Sequence, residues 1–258
     1  MAQTGSAVDA AELEAKVKDM YRQVADQPHA EYHFEMGRTL ADRLGYPPDL
    51  LDLIPAQAIE SFAGVGYFFD LANLREGECV VDFGSGSGMD AFFAATRVGA
   101  PGMVIGVDFT AAQLAKARSL AAEHRFERVE FREGRIERPP VEDESADCVI
   151  SNGVINLSPD KQRVFAEAAR ALRPGGRFAI ADIVSEQQLK ESIVCDADLW
   201  ASCIGGAAQQ DAYREGIEAA GLRIAEVRPN PYQFISQRAR DATAKYGVKS
   251  VSLLARKE

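Results

Sequence analysis

The feature that most constrains this chain is a glycine-rich turn between an apolar strand and a helical segment. Residues 80–88 read VVDFGSGSG, so three glycines alternate with serines directly after the strand. Glycine lets the backbone of such a turn approach a bound ligand closely. A second predicted strand ends in Asp108, twenty positions after Gly88. At about this separation an acidic side chain reaches the ribose hydroxyls of an adenosine cofactor, so the pair predicts a nucleoside site.

The spacing of the glycines limits the kind of cofactor. G-x-G-x-G differs from G-x-G-x-x-G, the pattern that seats the pyrophosphate of a dinucleotide on a helix N-terminus. A cofactor without phosphates is therefore favoured, and S-adenosylmethionine meets that condition. The glycine-rich turn would face its amino-acid tail, with Asp82 near the ammonium group and residues 135–137 near the adenine. The predicted cofactor residues are Asp82, Gly84, Ser85, Gly86, Gly88, Asp108, Phe109, Gln113, Arg135, Ile136, Glu137 and Ser151.

Two other interpretations of the turn stay open. An α/β domain can use such glycines only to pack a helix against a strand, and a nicotinamide-dependent oxidoreductase also places a glycine-rich turn after its first strand.

From residue 79 onward, short β-rich runs alternate with helical patterns, which is typical of an α/β fold with helices on both faces of a mostly parallel sheet. We predict a Rossmann-like fold with seven strands, the last of them antiparallel. The predicted strands are 79–83, 103–108, 128–131, 147–151, 177–183, 222–227 and 250–255. Helices are predicted over 160–172, stopped by the Pro-Gly-Gly at 174–176, and over 211–220, ended by Gly221.

A further helix is predicted to begin at Thr110. Thr110 and Gln113 have the S/T-x-x-Q spacing, in which each side chain satisfies a free backbone amide at the helix start. Residues 1–75 differ from the rest, with helical patterns over 11–25 and 33–44 and then the breaker Pro47-Pro48. We predict that this segment is a helical lid that supplies part of an acceptor site, and that 76–258 form the cofactor-binding domain.

Composition excludes several classes of function. The net charge of −10 and the lack of a basic stripe disfavour nucleic acid as a partner. The apolar runs are far shorter than the roughly 20 residues of a membrane helix, and the N-terminus has no signal-peptide pattern, so we expect no membrane partner and a cytoplasmic protein. The four cysteines, Cys79, Cys148, Cys195 and Cys203, contain no C-x-x-C pair, so no metal site is predicted. The sequence does not indicate an oligomeric state.

Several motifs together resemble the class I methyltransferases, and more closely the bacterial arsenite methyltransferases. They are SFAGVG at 61–66, DFGSGSGMD at 82–90, VIGVDFT at 104–110, VISNGVINLSPDK at 149–161 and CIGGA at 203–207. The first motifs indicate only a methyltransferase, whereas the last two are specific to the arsenite-type group. The resemblance implies a class I methyltransferase fold, S-adenosylmethionine as cofactor and methyl transfer to a small acceptor.

The chain departs from this family in its cysteines. The family holds trivalent arsenic with cysteine thiolates, a pairing of soft donor and soft acceptor. One such cysteine normally stands at the position of Gly153, and another lies in the N-terminal region, but residues 1–78 contain no cysteine here. Only Cys203 matches the family's thiol pattern, with Cys195 eight residues earlier as a weak substitute if both share a helix face. We therefore predict a small-molecule acceptor, and keep arsenite methylation through Cys203 and Cys195 as an alternative.

Three side chains are candidates for the chemistry: Cys203, Asn152 and His33. Ligands of open α/β sheets bind outside the carboxyl ends of the strands, which is where Asn152 is predicted to lie. Asn152 and Asn156 either orient a polar acceptor or bond to their own loop. His33 either lines the acceptor pocket or packs as an ordinary aromatic residue. A cofactor-binding module without turnover is a further possibility.

Overall fold

The computed structural model describes residues 10–194, 200 and 204–258. The helices are α1 (Ala10–Asp26), α2 (Gly37–Leu44), α3 (Pro48–Leu51), α4 (Ala56–Glu60), α5 (Phe69–Ala72), α6 (Met89–Val98), α7 (Ala111–Glu123), α8 (Lys161–Ala171), α9 (Glu191–Val194), α10 (Gln210–Ala219) and α11 (Gln237–Tyr246). The strands are β1 (Cys79–Phe83), β2 (Met103–Asp108), β3 (Val129–Glu133), β4 (Ala146–Asn152), β5 (Leu172–Ser185), β6 (Ala208–Gln209), β7 (Leu222–Pro229) and β8 (Lys249–Lys257).

The strands form one mostly parallel sheet in the order β3-β2-β1-β4-β5-β8-β7, with β6 paired to the end of β5. Strand β8 runs antiparallel to both β5 and β7, as predicted for the last strand. All seven predicted strands are present. The two-residue strand β6 was not predicted, because Ala208 and Gln209 are too short a run to give a periodic pattern.

Side chains that alternate along the central strands build a core on each face of the sheet. In β1, Val80 packs on the face that also holds the N-terminal helices, and Val81 packs on the opposite face. Buried residues of the N-terminal segment, such as Leu40 and Tyr46, belong to the same core cluster as Phe92 of α6. The two predicted parts, residues 1–75 and 76–258, therefore share one core. Their division into a lid and a cofactor-binding domain stays a prediction.

The N-terminal helices differ from the prediction at one boundary. Helix α2 begins at Gly37 rather than at residue 33, and the rings of residues 32–34 pack against one another ahead of it. The rings of Tyr32 and Tyr21 both stack on Phe34, at 5.6 and 6.3 Å between centroids. Within the described ranges, no helix has the length and apolar character needed to cross a membrane.

Helix α7 begins after Thr110 as predicted, but the predicted capping pair is wrong. The Thr110 side chain makes no capping hydrogen bond. Gln113 is buried, accepts a hydrogen bond from the Ser87 hydroxyl and donates one to the carbonyl of Tyr21 at 2.8 Å. The amide of Gln113 is therefore used between elements of the fold rather than at the start of its own helix.

Candidate functional site

The glycine-rich turn connects β1 to α6 and closes against β2. The backbone N–H groups of Gly84 and Ser85 both donate to the carbonyl of Val107, at 2.8 and 3.1 Å. Gly84 has a φ of +76°, and a Cβ atom there would lie 2.5 Å from the methyl groups of Val154. Both the backbone conformation and the close approach therefore require glycine.

Asp108, at the end of β2, fixes the geometry of the turn. Its Oδ2 accepts a hydrogen bond from the Gly86 N–H at 2.9 Å, and its Oδ1 accepts one from the Thr110 N–H at 2.8 Å. Burial raises the pKa of this carboxyl above its ordinary value, and the backbone N–H donors oppose that rise. The carboxylate is thus held in one orientation toward the cavity that it lines.

Asp82 lies beside this turn and differs from Asp108 in its bonding. It is 1% exposed, and its Oδ2 atom has no hydrogen-bond partner. Burial raises the pKa of Asp82 well above its ordinary value, and the neighbouring Asp90 and Asp108 raise it further. A buried carboxyl oxygen without a donor suits a ligand that brings a positively charged donor.

A single cleft runs over these residues. It consists of two adjoining cavities that share several lining residues. The residues that line both cavities are Val17, Gly84, Asp108, Phe109, Val154 and Leu157. The first cavity reaches Asp82 and the loop 61–64, and the second reaches residues 134–137. The cleft therefore connects Asp82 and the glycine-rich turn at one end with residues 134–137 at the other.

Ten of the twelve predicted cofactor residues line the cleft, and Gly88 and Ser151 are not among its lining residues. A Cβ atom on Gly88 would lie 2.6 Å from the ring of Phe131, so this glycine allows α6 to pack on the sheet. The Ser151 hydroxyl donates to the carbonyl of Phe83 at 2.8 Å and is buried between strands. Both residues therefore pack or hydrogen-bond within the protein next to the turn rather than line the cleft.

Helix α1 forms a wall of the cleft that the sequence analysis did not assign. Leu13 and Val17 line the cavity at residues 134–137, and Val17 and Tyr21 line the cavity at Asp82. Glu14 on the same helix forms an ion pair with Arg135. Leu13, Val17 and Tyr21 recur every four residues and form an apolar stripe on one face of α1. Such a stripe predicts that this face of the helix packs against the rest of the protein.

Asn152 follows β4 and joins the N-terminal loop to α6. Its Oδ1 accepts from the backbone N–H groups of Val65 and Gly66, at 2.7 and 3.3 Å. Its Nδ2 donates to Asp90 at 2.9 Å, to the Tyr46 hydroxyl at 3.1 Å and to the carbonyl of Gly66 at 3.0 Å. The amide is therefore engaged at both ends within the protein, although Asn152 lines the cleft.

Asp90 completes this hydrogen-bonded group. Its Oδ1 accepts a hydrogen bond from the Tyr46 hydroxyl at 2.6 Å. Burial raises the pKa of Asp90 to about 6, while the donors Tyr46 and Asn152 act in the opposite direction. The group holds the loop that contains Val65 against the cleft.

Gly153 lies next to this loop with a φ of +72°. A Cβ atom there would stand 3.1 Å from Cγ1 of Val65, and the Gly153 N–H donates to the carbonyl of Ala181 at 2.8 Å. A side chain at this position would thus be strained and would press on the loop. The space over Gly153 is already occupied by Val65.

Among the cysteines, only Cys79 and Cys148 fall within the described residues. Cys79 is half-buried and Cys148 is buried. Burial raises the pKa of the Cys79 thiol, and it raises the pKa of the Cys148 thiol to about 12, so the reactive thiolate is disfavoured at both positions. Neither lines the cleft. Cys203, the predicted catalytic thiol, and Cys195 lie outside the described residues.

His33 and Asn156 do not line the cleft. The ring of His33 packs edge-on against Phe34 at 4.8 Å. The Nδ2 of Asn156 donates to Asp182 at 2.5 Å, and Asp182 also accepts from the Tyr213 hydroxyl at 2.7 Å. Over the part of the chain that the structure describes, no three His, Cys, Asp or Glu side chains are grouped to hold a metal ion.

Comparison with known proteins agrees with this geometry. Residues 74–221 match the sequence profile of the family described as "Methyltransferase domain". An arsenite methyltransferase of Halobacterium salinarum is 40% identical over 219 residues, which cover 84% of this chain and 56% of that protein. The chain spans about half the length of the curated relatives it matches.

Solved structures give the same result. The crystal structure of an arsenic(III) S-adenosylmethionine methyltransferase from Chlamydomonas reinhardtii is 33% identical, with a TM-score of 0.63, and the match covers 86% of this chain and 74% of that one. A geranyl diphosphate C-methyltransferase from Streptomyces coelicolor, solved with S-adenosyl-L-homocysteine, is 18% identical with a TM-score of 0.68 and covers 94% and 98% of the two chains, so it shows the fold alone. These relatives give no support to a nicotinamide-dependent oxidoreductase. The chain belongs to the class I S-adenosylmethionine-dependent methyltransferases and is similar to their arsenite methyltransferases.

Proposed function

We propose that this protein transfers a methyl group from S-adenosylmethionine to a small-molecule acceptor. The observation that carries the proposal is the cleft in which the glycine-rich turn, the fixed carboxylate of Asp108 and the unpartnered Oδ2 of Asp82 meet. Asp108 would accept from the ribose hydroxyls, and Asp82 would accept from the ammonium group. Residues 134–137 and Leu13 would enclose the adenine.

S-adenosylmethionine supplies a methyl group activated by a positively charged sulfur. The chain's own contribution is to hold the acceptor in line with that group and to exclude water, since positioning can supply much of the rate. The loop around Val65, fixed by Asn152, and the residues Ala58 and Phe62 border the end of the cleft that remains for an acceptor. Asn152 would act by holding this loop, because its amide is engaged within the protein.

The acceptor is the part of the proposal that departs from the arsenite-type relatives. A soft, trivalent arsenic centre needs several thiolates to compete with free thiols. The family's thiol position is Gly153 here, and Val65 fills the space above it. We therefore infer a small organic acceptor.

The second candidate is arsenite, through Cys203 and Cys195. It is favoured by the identity with two arsenic methyltransferases and by the match of residues 203–207 to their motif. It requires that two thiols suffice where the family uses more.

One experiment separates these candidates. The purified protein is incubated with S-adenosylmethionine, arsenite and excess thiol, and methylated arsenicals are measured by mass spectrometry. Product that disappears in Cys203→Ser and persists in Cys79→Ser, whose thiol lies away from the cleft, supports arsenite as the acceptor. No product, with S-adenosylmethionine still raising the melting temperature, supports an organic acceptor. Stabilisation by NAD(H) in place of S-adenosylmethionine would overturn both.

A further inference from the structure

The end of the cleft around Asp82 holds an excess of buried carboxyl groups. Asp82, Asp90 and Asp108 line the same cavity and are 1%, 6% and 8% exposed. Among the described residues that line this cavity there is no lysine, arginine or histidine. No side-chain cation of the lining therefore balances these three carboxyl groups.

The three carboxyl groups differ in how the protein solvates them. Asp90 accepts hydrogen bonds from Tyr46 and Asn152, and Asp108 accepts two from backbone N–H groups. Oδ2 of Asp82 accepts none. An ionised carboxylate is costly to bury without donors, so a proton is held more favourably on Asp82 than on the other two.

We propose that Asp82 is protonated in the ligand-free protein near neutral pH and releases this proton to solvent when the ammonium group of the cofactor enters the pocket. The O–H bond of Asp82 breaks and its proton passes to the buffer. The ammonium group keeps its own protons and donates one in a hydrogen bond to the new carboxylate. The inference rests on the proposed function and adds to it that cofactor binding is coupled to ionisation.

The charged surroundings of Asp82 act in the same direction. Burial raises the pKa of Asp82, and the negative charges of Asp90 and Asp108 raise it further. Asp90 in turn faces two phenols, Tyr46 and Tyr67, whose pKa values are raised and which therefore stay neutral near pH 7. An arriving ammonium group adds a positive charge beside these acidic groups, and it therefore favours the ionised form of Asp82.

The other end of the cleft has charged groups of its own. Glu14 is paired with Arg135, Glu137 accepts from the Ser158 hydroxyl, and the Lys18 ammonium lies 5.1 Å from the centre of the Phe109 ring. A ligand that fills only the adenosine end would reveal any titration of these groups. 5′-Methylthioadenosine is such a ligand, since it keeps the adenosine and sulfur and lacks the amino-acid group.

The test is calorimetric titration of S-adenosylhomocysteine into the protein at pH 6.5, in buffers of different ionisation enthalpy. The dependence of the observed enthalpy on the buffer gives the number of protons released. We expect a value approaching one proton for S-adenosylhomocysteine and close to zero for 5′-methylthioadenosine. Because binding releases a proton, the Kd should fall as pH rises, by up to about tenfold per pH unit below the pH at which Asp82 ionises.

Three variants locate the proton. Asp82→Asn should bind without proton release, whereas Asp49→Asn, the same change at an exposed position, should release as the wild type does. Asp90→Asn should keep the release and shift it to lower pH, because one repelling charge is removed. Equal release for both ligands, release that persists in Asp82→Asn, or a pH-independent Kd would overturn the inference while leaving cofactor binding intact. Absence of any binding would instead overturn the proposed function.

Discussion

The substitution Asp108→Ala tests the assigned orientation of the cofactor most directly. The side chain accepts hydrogen bonds from Gly86 and Thr110 through different oxygens, so each oxygen retains acceptor capacity for a ligand. Asp108 lines both cavities, so it stands at the middle of the cleft, where the proposed function places the ribose. Alanine removes the ribose contact and loosens the turn at Gly86 at the same time.

The size of the effect follows from the burial of this carboxylate. At 8% exposure, water replaces a lost partner poorly, so each hydrogen bond to the charged group is expected to contribute about 1.5–3 kcal/mol. Loss of one such net interaction weakens binding by roughly 10- to 150-fold, since 1.4 kcal/mol corresponds to about a factor of ten. Asp108→Asn keeps the shape and one acceptor oxygen, so its effect should be smaller.

The assay is calorimetric titration with S-adenosylmethionine, accompanied by circular dichroism to confirm that each variant is folded. Asp49→Ala is the matched control, because it removes an exposed carboxylate that does not line the cleft and should leave the Kd unchanged. A folded Asp108→Ala protein with the wild-type Kd would refute the ribose assignment.

Three further predictions follow from the same geometry. Gly84→Ala should destabilise the protein by about 2–4 kcal/mol in urea unfolding, from left-handed backbone strain and overlap with Val154; part of this cost should vanish in a Val154→Ala background, and equal costs in both would contradict the overlap. Gly153→Ala, Val and Phe should change acceptor selectivity progressively, and unchanged selectivity across the series would count against a role for this position. The folded ligand-free protein, in which the pKa of Asp90 is about 6, retains a proton that the unfolded chain loses near pH 4. The free energy of unfolding of the wild type, measured against Asp90→Asn, should therefore fall by roughly 2–3 kcal/mol as pH rises from about 4 through 6, and a flat difference would contradict it.

The strands of the sheet could be predicted because the sequence pattern that marks each strand is local. Runs such as residues 103–107 are apolar throughout, as strands buried on both faces must be, and Gly84 follows the end of the first strand. The capping pair at Thr110 and Gln113 was wrong for the opposite reason. The hydrogen bonds of Gln113 go to Ser87 and Tyr21. These residues are distant in sequence, so no local sequence pattern predicts the bonds.

The candidate site was also predictable only where the sequence signal is local. Asp82 and Asp108 follow from their places at strand ends, and both line the cleft. The role of Asn152 could not be inferred from position alone, because its partners Tyr46 and Asp90 come from other parts of the chain. Sequence position indicated that Asn152 borders the cleft, and only the three-dimensional contacts indicate that its amide is already engaged.

The wall formed by helix α1 affects where the boundaries of an expressed fragment of this protein should lie. The methyltransferase profile matches residues 74–221, yet Leu13, Val17 and Tyr21 border the candidate cofactor cleft from outside that range. A fragment expressed from residue 74 would keep the glycine-rich turn and lose one side of the cleft. It would also uncover the core surface that Leu40 and Tyr46 cover in the full chain. The segment that matches the family profile is therefore smaller than the unit that encloses the candidate cleft, and expression boundaries for this protein should include α1.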